Sequence, residues 1–253
     1  MVYPFKLTTT RLRGSGAWEY VSDTPSARTS CSLVACVRLA RRQLIPVTKS
    51  NRMMILRISA TSPYARKVRI GISVMGLQDQ VRVSLADTYD PTDEIRTQNP
   101  LGKVPTLLLD DGRAIYDSLV ILEFLNDLAG SDAVIPRGSD RISVLLAHAL
   151  ASGMTDAALL QAYEKRWRSV ETHSDKWLEH QAAKVDRALD AMEAAPFEWS
   201  GRPHIGAIAK ACGLGFLDLR FGGKWRETRP KLDAWLGDFS RRVPAYEATA
   251  FKV

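Results

Sequence analysis

The order of apolar and polar positions over residues 53–130 predicts a small mixed α/β unit. Residues 54–58 (MILRI) are long or β-branched apolar side chains interrupted once by a charge, which predicts a strand. Apolar side chains then recur at helical spacing over residues 63–75, and the segment ends at Gly76, which predicts a helix with its C-terminal stop. Alternating valine and leucine over residues 81–85 predict a second strand. The unit therefore opens as β-α-β.

A β-β-α pattern follows a polar loop and a short helical piece. Residues 106–109 form an apolar run, residues 110–113 (DDGR) have the chemistry of a hairpin turn, and residues 114–116 predict the returning strand. Asp117-Ser118 then precedes a helix that runs to about Leu128. The glycine and proline content of residues 130–138 (GSDAVIPRG) predicts a linker.

Everything beyond Asp140 has helical periodicity and no strand pattern. The predicted helices are residues 141–169, 175–194, 205–220 and 229–241. The sequence therefore predicts an α/β domain at 53–130 followed by an all-α domain at 141–250.

The first 52 residues differ from the rest in composition. They hold nine basic and two acidic side chains with twelve Ser/Thr, whereas residues 53–253 hold 26 basic and 26 acidic side chains. The net charge of +7 thus resides in this segment, which we predict to be poorly ordered and exclude from the fold. It could be an organelle transit peptide, a basic arm for an acidic partner, or translation from an upstream start codon. We favour the last because Met53-Met54 opens a strand as a native N-terminus would.

Composition excludes several classes of protein. A hydrophobic content of 45% and a charged content of 25% are ordinary globular values. The neutral balance after residue 52 argues against nucleic-acid binding, and the lack of 18 consecutive apolar residues argues against a membrane span. Three scattered cysteines give no disulfide framework, and four histidines give no metal-ligand spacing. We expect a cytoplasmic protein without a metal.

Three motifs follow one another along the first domain: SPYARKVR at 62–69, NPLGKVP at 99–105, and DS at 117–118. In these the chain resembles the cytosolic glutathione transferase superfamily, and bacterial members with S-P-[FY]-x-R-K-x-R most closely. The likeness continues through ALASGMTDAA at 149–158 and CGLGFLDLRF at 212–221, and covers nearly all of 54–250. It implies a thioredoxin-like α/β domain followed by an α-helical domain.

Ser62 is the candidate catalytic residue. It occupies the predicted N-cap of the first helix, where the helix dipole favours an anion and a hydroxyl can donate a hydrogen bond to a thiolate. Such a bond lowers the pKa of a thiol, and the thiolate is the nucleophile. The alternative is that Ser62 only caps the helix, a contribution of about 1 kcal/mol. Thr61 and Ser59 are the other hydroxyls within reach.

The resemblance also implies the residues that bind glutathione. Val104-Pro105 would form a cis-proline turn whose valine backbone pairs with the cysteinyl part of the ligand. Ser118 and the helix N–H groups would receive the γ-glutamyl carboxylate, and Asp117, where most of the superfamily has Glu, would face the ammonium group or orient the site. Lys103 would lie near the glycyl carboxylate unless it is only solvated.

Two further residues of the first domain are predicted to have structural roles. Asn99 is expected to organise its loop rather than touch the ligand. For the basic stretch of Arg66, Lys67 and Arg69 we favour a solvated helix face over ion pairing between helices or attraction of glutathione.

The candidate substrate pocket comprises Tyr64, Met154 and Asp156, with Tyr163 and Trp167 on the same helix. For Met154 and Trp167 we favour core or dimer packing over a place in the pocket, and packing against the neighbouring domain is the alternative for Tyr64.

Small residues on the first long helix and an unusual helix start are the remaining features of the second domain. Ala147, Ala149, Ala151 and Gly153 would allow close helix approach at a subunit interface. The superfamily usually has Ser/Thr-x-x-Asp near residues 204–207, whereas this chain has His-Ile-Gly-Ala, a loss of about 1 to 2 kcal/mol unless His204 compensates.

The resemblance implies a homodimeric glutathione transferase. Its co-substrate is glutathione, whose thiolate attacks a small electrophile, and no metal, nucleic acid or membrane takes part. A non-catalytic glutathione-transferase-like binding protein, or a glutathione-dependent isomerase or dehalogenase, is the alternative. A serine at position 62 argues against thiol-exchange reductase chemistry, because it supplies no redox sulfur.

Overall fold

The computed structural model describes residues 53–130, 132–195 and 201–251, with the backbone of two short N-terminal strands. These strands, β1 (Thr9–Arg11) and β2 (Trp18–Tyr20), pair antiparallel and fall in a different unit from the rest of the fold. The remainder of the segment predicted to be poorly ordered lies outside the described residues.

A four-stranded mixed sheet forms the centre of the first domain. Its strands are β3 (Met54–Ile58), β4 (Val81–Leu85), β5 (Thr106–Leu108) and β6 (Ala114–Ile115), in the order β4-β3-β5-β6. The pair β3 and β4 is parallel, and the other two pairs are antiparallel. With the helices α1 (Pro63–Val74), α2 (Ile95–Gln98) and α3 (Ser118–Leu128), this is the predicted thioredoxin-like fold.

The alternation over residues 81–85 predicts a strand but not its buried side. Val81 is buried, whereas Val83 is half-exposed and Leu85 is 69% exposed. β4 lies at the edge of the sheet, so it has a strand partner on one side only. Periodicity alone therefore does not tell which apolar positions of an edge strand are covered.

The second domain is helical throughout its described residues. It contains α4 (Asp140–Trp167), α5 (Asp175–Ala194), α6 (Ile205–Phe221), α7 (Pro230–Arg242) and α8 (Ala245–Ala248), and two short 3₁₀ turns, Val170–Thr172 and Lys224–Glu227, lie between them. The first four helices begin and end within two residues of the predicted bounds. Helix α6 is the centre of this domain, since its first 13 residues are all buried and it contacts α1, α4 and α7.

The N-terminus of α6 shows how the unusual His204 acts. Its ring Nδ1 accepts a hydrogen bond from the backbone N–H of Ala207 at 3.2 Å. Burial lowers the pKa of His204, which favours the neutral ring that this contact needs. His204 therefore replaces the missing Ser/Thr cap.

The small residues of α4 divide between two environments. Ala147 and Ala151 are buried inside the chain, where Ala147 lies beneath Gly206 of α6. The expectation that they lie at a subunit interface is therefore wrong, because α6 already occupies that side. Ala149 and Gly153 are exposed.

Helix α4 is the one described helix that is long and apolar enough to cross a bilayer. Its packing against α5 and α6 is that of a core helix in a globular domain, which passes the same test of length and composition.

Candidate active site

Ser62 caps the N-terminus of α1, as the sequence predicts. Its backbone is extended, and its Oγ accepts a hydrogen bond from the N–H of Ala65 at 3.2 Å, with Pro63 in the first turn. A hydroxyl that accepts in this way still has its own hydrogen to donate. Because the positive end of the helix dipole lies at the same place, Ser62 can stabilise an anion placed next to it.

A cis-proline turn precedes β5. The Val104–Pro105 peptide bond is cis, as expected, and Pro105 is buried while Lys103 is exposed. Buried Asn99 holds the turn by donating to the carbonyl of Lys103 at 3.0 Å and to Thr106 Oγ1 at 3.1 Å. The predicted structural role of Asn99 is confirmed.

A second capped helix start lies at Asp117. The carboxylate Oδ1 accepts from the N–H of Leu119 at 2.9 Å and of Val120 at 3.3 Å, so Asp117 caps α3. Ser118 is the first residue of α3 and is buried. Asp117 is exposed and acts electrostatically on Tyr64 and Lys67 of α1. The beginnings of α1 and α3 are therefore neighbours.

Tyr64 connects the site to the helical domain. Its hydroxyl donates a hydrogen bond to the carboxylate of Asp156 on α4. Burial, and then this hydrogen bond, raise the pKa of the Tyr64 phenol. Tyr64 is therefore a protonated donor at neutral pH and does not serve as a base for a thiol.

Arg66 and Lys67 of the basic stretch on α1 are buried, so the expectation of a solvated face is wrong for these two residues, whereas Arg69 is partly exposed. The Arg66 guanidinium donates to the carbonyl of Tyr246 at 2.8 Å and lies over the rings of Tyr246 and Phe251. The Lys67 side chain is 2% exposed, and its ammonium contacts His148 Nε2 at 2.8 Å. The cause is that α1 packs against the helical domain as well as against its own sheet.

The pair of Lys67 and His148 holds one charge between the two domains. Burial lowers the pKa of Lys67 to about 8, and burial followed by the charge of Lys67 lowers the pKa of His148 to about 4. At neutral pH the Lys67 ammonium therefore donates to the neutral imidazole of His148. The same ammonium donates to Ser152 Oγ at 3.4 Å. The helix that Ser62 caps therefore carries a buried positive charge, that of Lys67.

Met154 does not belong to a pocket. It is buried in the hydrophobic core, where its Cε faces Gly213 of α6. The alternative of core packing holds, while Asp156, two residues further on, is exposed on the side that meets Tyr64. Of the three candidate pocket residues, the structure brings Tyr64 and Asp156 together.

The contacts of Arg66, Lys67, His148 and Ser152 were not found from the sequence. His148, Ser152 and Asp156 recur every fourth residue on α4, which places them on one face. A single sequence does not show that this face of α4 contacts α1. Within the described part of the chain, no group of three or more His, Cys, Asp or Glu side chains could hold a metal ion.

The fold is that of a two-domain protein, in which a thioredoxin-like domain with two capped helix starts and a cis-proline turn precedes a helical domain. Residues 61–128 match the family model for the glutathione S-transferase N-terminal domain. The uncharacterized GST-like protein YibF of Escherichia coli is 30% identical over 179 residues, which are 69% of this chain and 87% of that protein. The chain therefore belongs to the glutathione S-transferase family.

Solved structures show the same similarity. A glutathione transferase family member from Pseudomonas fluorescens Pf-5, with bound glutathione, is 37% identical, with a TM-score of 0.73, and the match covers 79% of this chain and all of that chain. A structure of the Pf-5 family member with bound S-(propanoic acid)-glutathione matches with a TM-score of 0.70, the same identity and the same coverage.

Proposed function

We propose that this protein is a glutathione transferase in which Ser62 stabilises the glutathione thiolate. The thiolate attacks a small electrophile, a carbon–sulfur bond forms, and the leaving group departs with the electron pair of its bond to carbon. The observation that carries the proposal is the hydroxyl of Ser62, which caps α1 through its oxygen and keeps its hydrogen for an anion at the positive end of the helix.

The rest of the site supplies groups for the other parts of glutathione. The backbone of Val104 before the cis-proline can pair with the cysteinyl amide. The start of α3 at Ser118 can receive the γ-glutamyl carboxylate, and the carboxylate of Asp117 can receive the ammonium. Lys103 is exposed beside the turn and can reach the glycyl carboxylate. The glutathione and the S-substituted glutathione found in the solved relatives support this assignment.

Two measurements on the full chain test the proposed function. We expect the protein to be retained on immobilised glutathione and released by free glutathione, and to conjugate a generic aryl halide such as 1-chloro-2,4-dinitrobenzene above the uncatalysed rate. Absence of glutathione binding would contradict the proposal. Binding with no conjugation of any electrophile in a panel would instead favour a binding protein.

We also propose that the protein is a homodimer that uses the exposed face of α4. Ile142, Leu146, Ala149 and Gly153 follow one another at intervals of four, three and four residues, which places them on one side of the helix. All four are exposed, Leu146 to 65%. Large apolar side chains beside small ones allow a second copy of the same helix to approach closely, and a two-fold interface needs such a self-complementary face.

Leu146→Glu is expected to convert the dimer to a monomer. A carboxylate in an apolar interface without a partner costs about 3 kcal/mol, a weakening of roughly 100-fold. Sedimentation equilibrium measures the mass, with Val170→Glu as the control because Val170 is exposed and lies outside this face. A monomeric wild type, or a dimeric Leu146→Glu, would contradict the proposed interface.

A further inference from the structure

One face of α4 looks toward the thioredoxin-like domain over three turns. Asp156, Leu160, Tyr163 and Trp167 follow at intervals of four, three and four residues and therefore share this face. At its beginning Asp156 accepts the hydrogen bond of Tyr64. At its end Trp167 contacts Tyr89, from the loop after β4, with ring centroids 5.3 Å apart. The two contacts are separated by about 16 Å along the helix.

The stretch between these two contacts is apolar and open. Leu160 is 41% exposed and Tyr163 is 40% exposed, although the contacts on either side hold the first domain against the same helix face. We name this stretch, bounded by the Tyr64–Asp156 and Tyr89–Trp167 contacts, the interdomain slot. Ser62 lies two residues before Tyr64, at the end of the slot that Asp156 marks.

Both ends of the slot carry charged side chains, and the buried ammonium of Lys67 accompanies the carboxylates at the Ser62 end. The carboxylates of Asp156 and Asp117 lie at the Ser62 end, since both act electrostatically on Tyr64. The Arg166 guanidinium lies at the other end, where it stacks on Tyr89, and Arg220 of α6 lies near Tyr163, since both arginines oppose the rise in the pKa of Tyr163 that burial causes.

Among the residues that the structure describes, neither Arg166 nor Arg220 has an acidic partner. The Arg166 guanidinium stacks 3.9 Å above the ring of Tyr89. Neither arginine forms an ion pair with any residue that the structure describes. A stacked guanidinium keeps its edge N–H groups for an anion.

We infer that the electrophile of this enzyme has an aromatic or apolar body with a carboxylate at the end remote from the reacting carbon. Leu160 and Tyr163 contact the body, and the guanidinium groups of Arg166 and Arg220 bind the carboxylate. This inference rests on the proposed function.

A matched pair of probes tests the inference. 4-Chloro-3,5-dinitrobenzoate and its methyl ester both react when the thiolate attacks the carbon that bears chlorine, the carbon–sulfur bond forms and chloride leaves. Their products are the corresponding acid and ester conjugates of glutathione. Calorimetry of the two conjugates with the full chain gives an affinity ratio that does not depend on turnover, and kcat/KM for the two substrates, each divided by its uncatalysed rate, gives a second ratio.

We expect wild type to bind the acid conjugate roughly tenfold more tightly than the ester conjugate, which is the size of one charge-assisted hydrogen bond. The variant Arg166→Gln/Arg220→Gln should lose this preference with little change for the ester. Lys165→Gln, an exposed charge on the same turn of α4, should keep it.

Equal affinities in wild type, or a preference that survives loss of both arginines, would overturn the inference while glutathione binding continues to support the proposed function. Failure to bind glutathione itself would overturn the proposed function and the inference together.

Discussion

Replacing Ser62 with alanine is expected to lower kcat/KM for conjugation about 100-fold near neutral pH, the usual effect of losing one hydrogen-bond donor to a developing or bound anion. Without the hydroxyl, the pKa of bound glutathione should rise toward the free-thiol value of about 8.5, so the rate should recover as the pH is raised. The pH profile of kcat/KM, together with the ultraviolet absorbance of the bound thiolate, measures both effects. Affinity for glutathione should change little, because the other contacts remain.

Capping and chemistry at Ser62 can be separated with two further variants. Alanine also removes the cap, at about 1 kcal/mol, whereas glycine costs only a few tenths of that and equally lacks the hydroxyl. We expect Ser62→Gly to lose activity as fully as Ser62→Ala, and Ser62→Thr to keep most of it. If Ser62→Gly retains activity, Ser62 is a cap only. If Thr61→Ala or Ser59→Ala carries the loss instead, another hydroxyl serves the thiol.

Features of the fold that depend on neighbours in sequence were predictable. The bounds of α5 at 175–194 agree with the structure because a capping serine and an amphipathic period are local signals. The same holds for the cap at Ser62, whose side chain accepts a hydrogen bond from an N–H group three residues away. The cis-proline turn at Val104-Pro105 and a role for Asp117 are instead predicted from the resemblance to the family.

Features that depend on how the domains meet were not predictable. Arg66 and Lys67 look like solvated charges in the sequence, yet they are buried because α1 lies between its own sheet and the helical domain. Their partners are the carbonyl of Tyr246 and the ring of His148, which are 180 and 81 residues away. The burial of Ala147 also depends on a tertiary contact, here within the helical domain, because α6 covers this side of α4.

The contact between α4 and α6 carries the second large prediction. A Cβ atom on Gly206 would lie 2.7 Å from Cβ of Ala147, and 3.1 Å from two ring atoms of His204, which caps α6. The Cβ of alanine cannot rotate away, so the helices must separate or the cap must move. Gly206→Val is expected to lower the free energy of unfolding by about 3 kcal/mol or more, and Gly206→Ala by a smaller amount within the usual range for overpacked cores.

Denaturant unfolding of matched variants distinguishes this crowding from the ordinary effect of a glycine replacement. Gly237 lies on α7 with only the flexible end of Arg241 nearby, at 3.6 Å, so Gly237→Ala should stabilise the protein by about 0.5 to 1 kcal/mol. Ala147→Gly removes the atom that Gly206→Ala would strike, so the double variant should be more stable than the sum of the single changes predicts, by about 1 kcal/mol. If the effects of Gly206→Ala and Ala147→Gly on the free energy of unfolding are additive, α4 and α6 can separate without cost. The close contact of these helices would then not restrict position 206 to glycine.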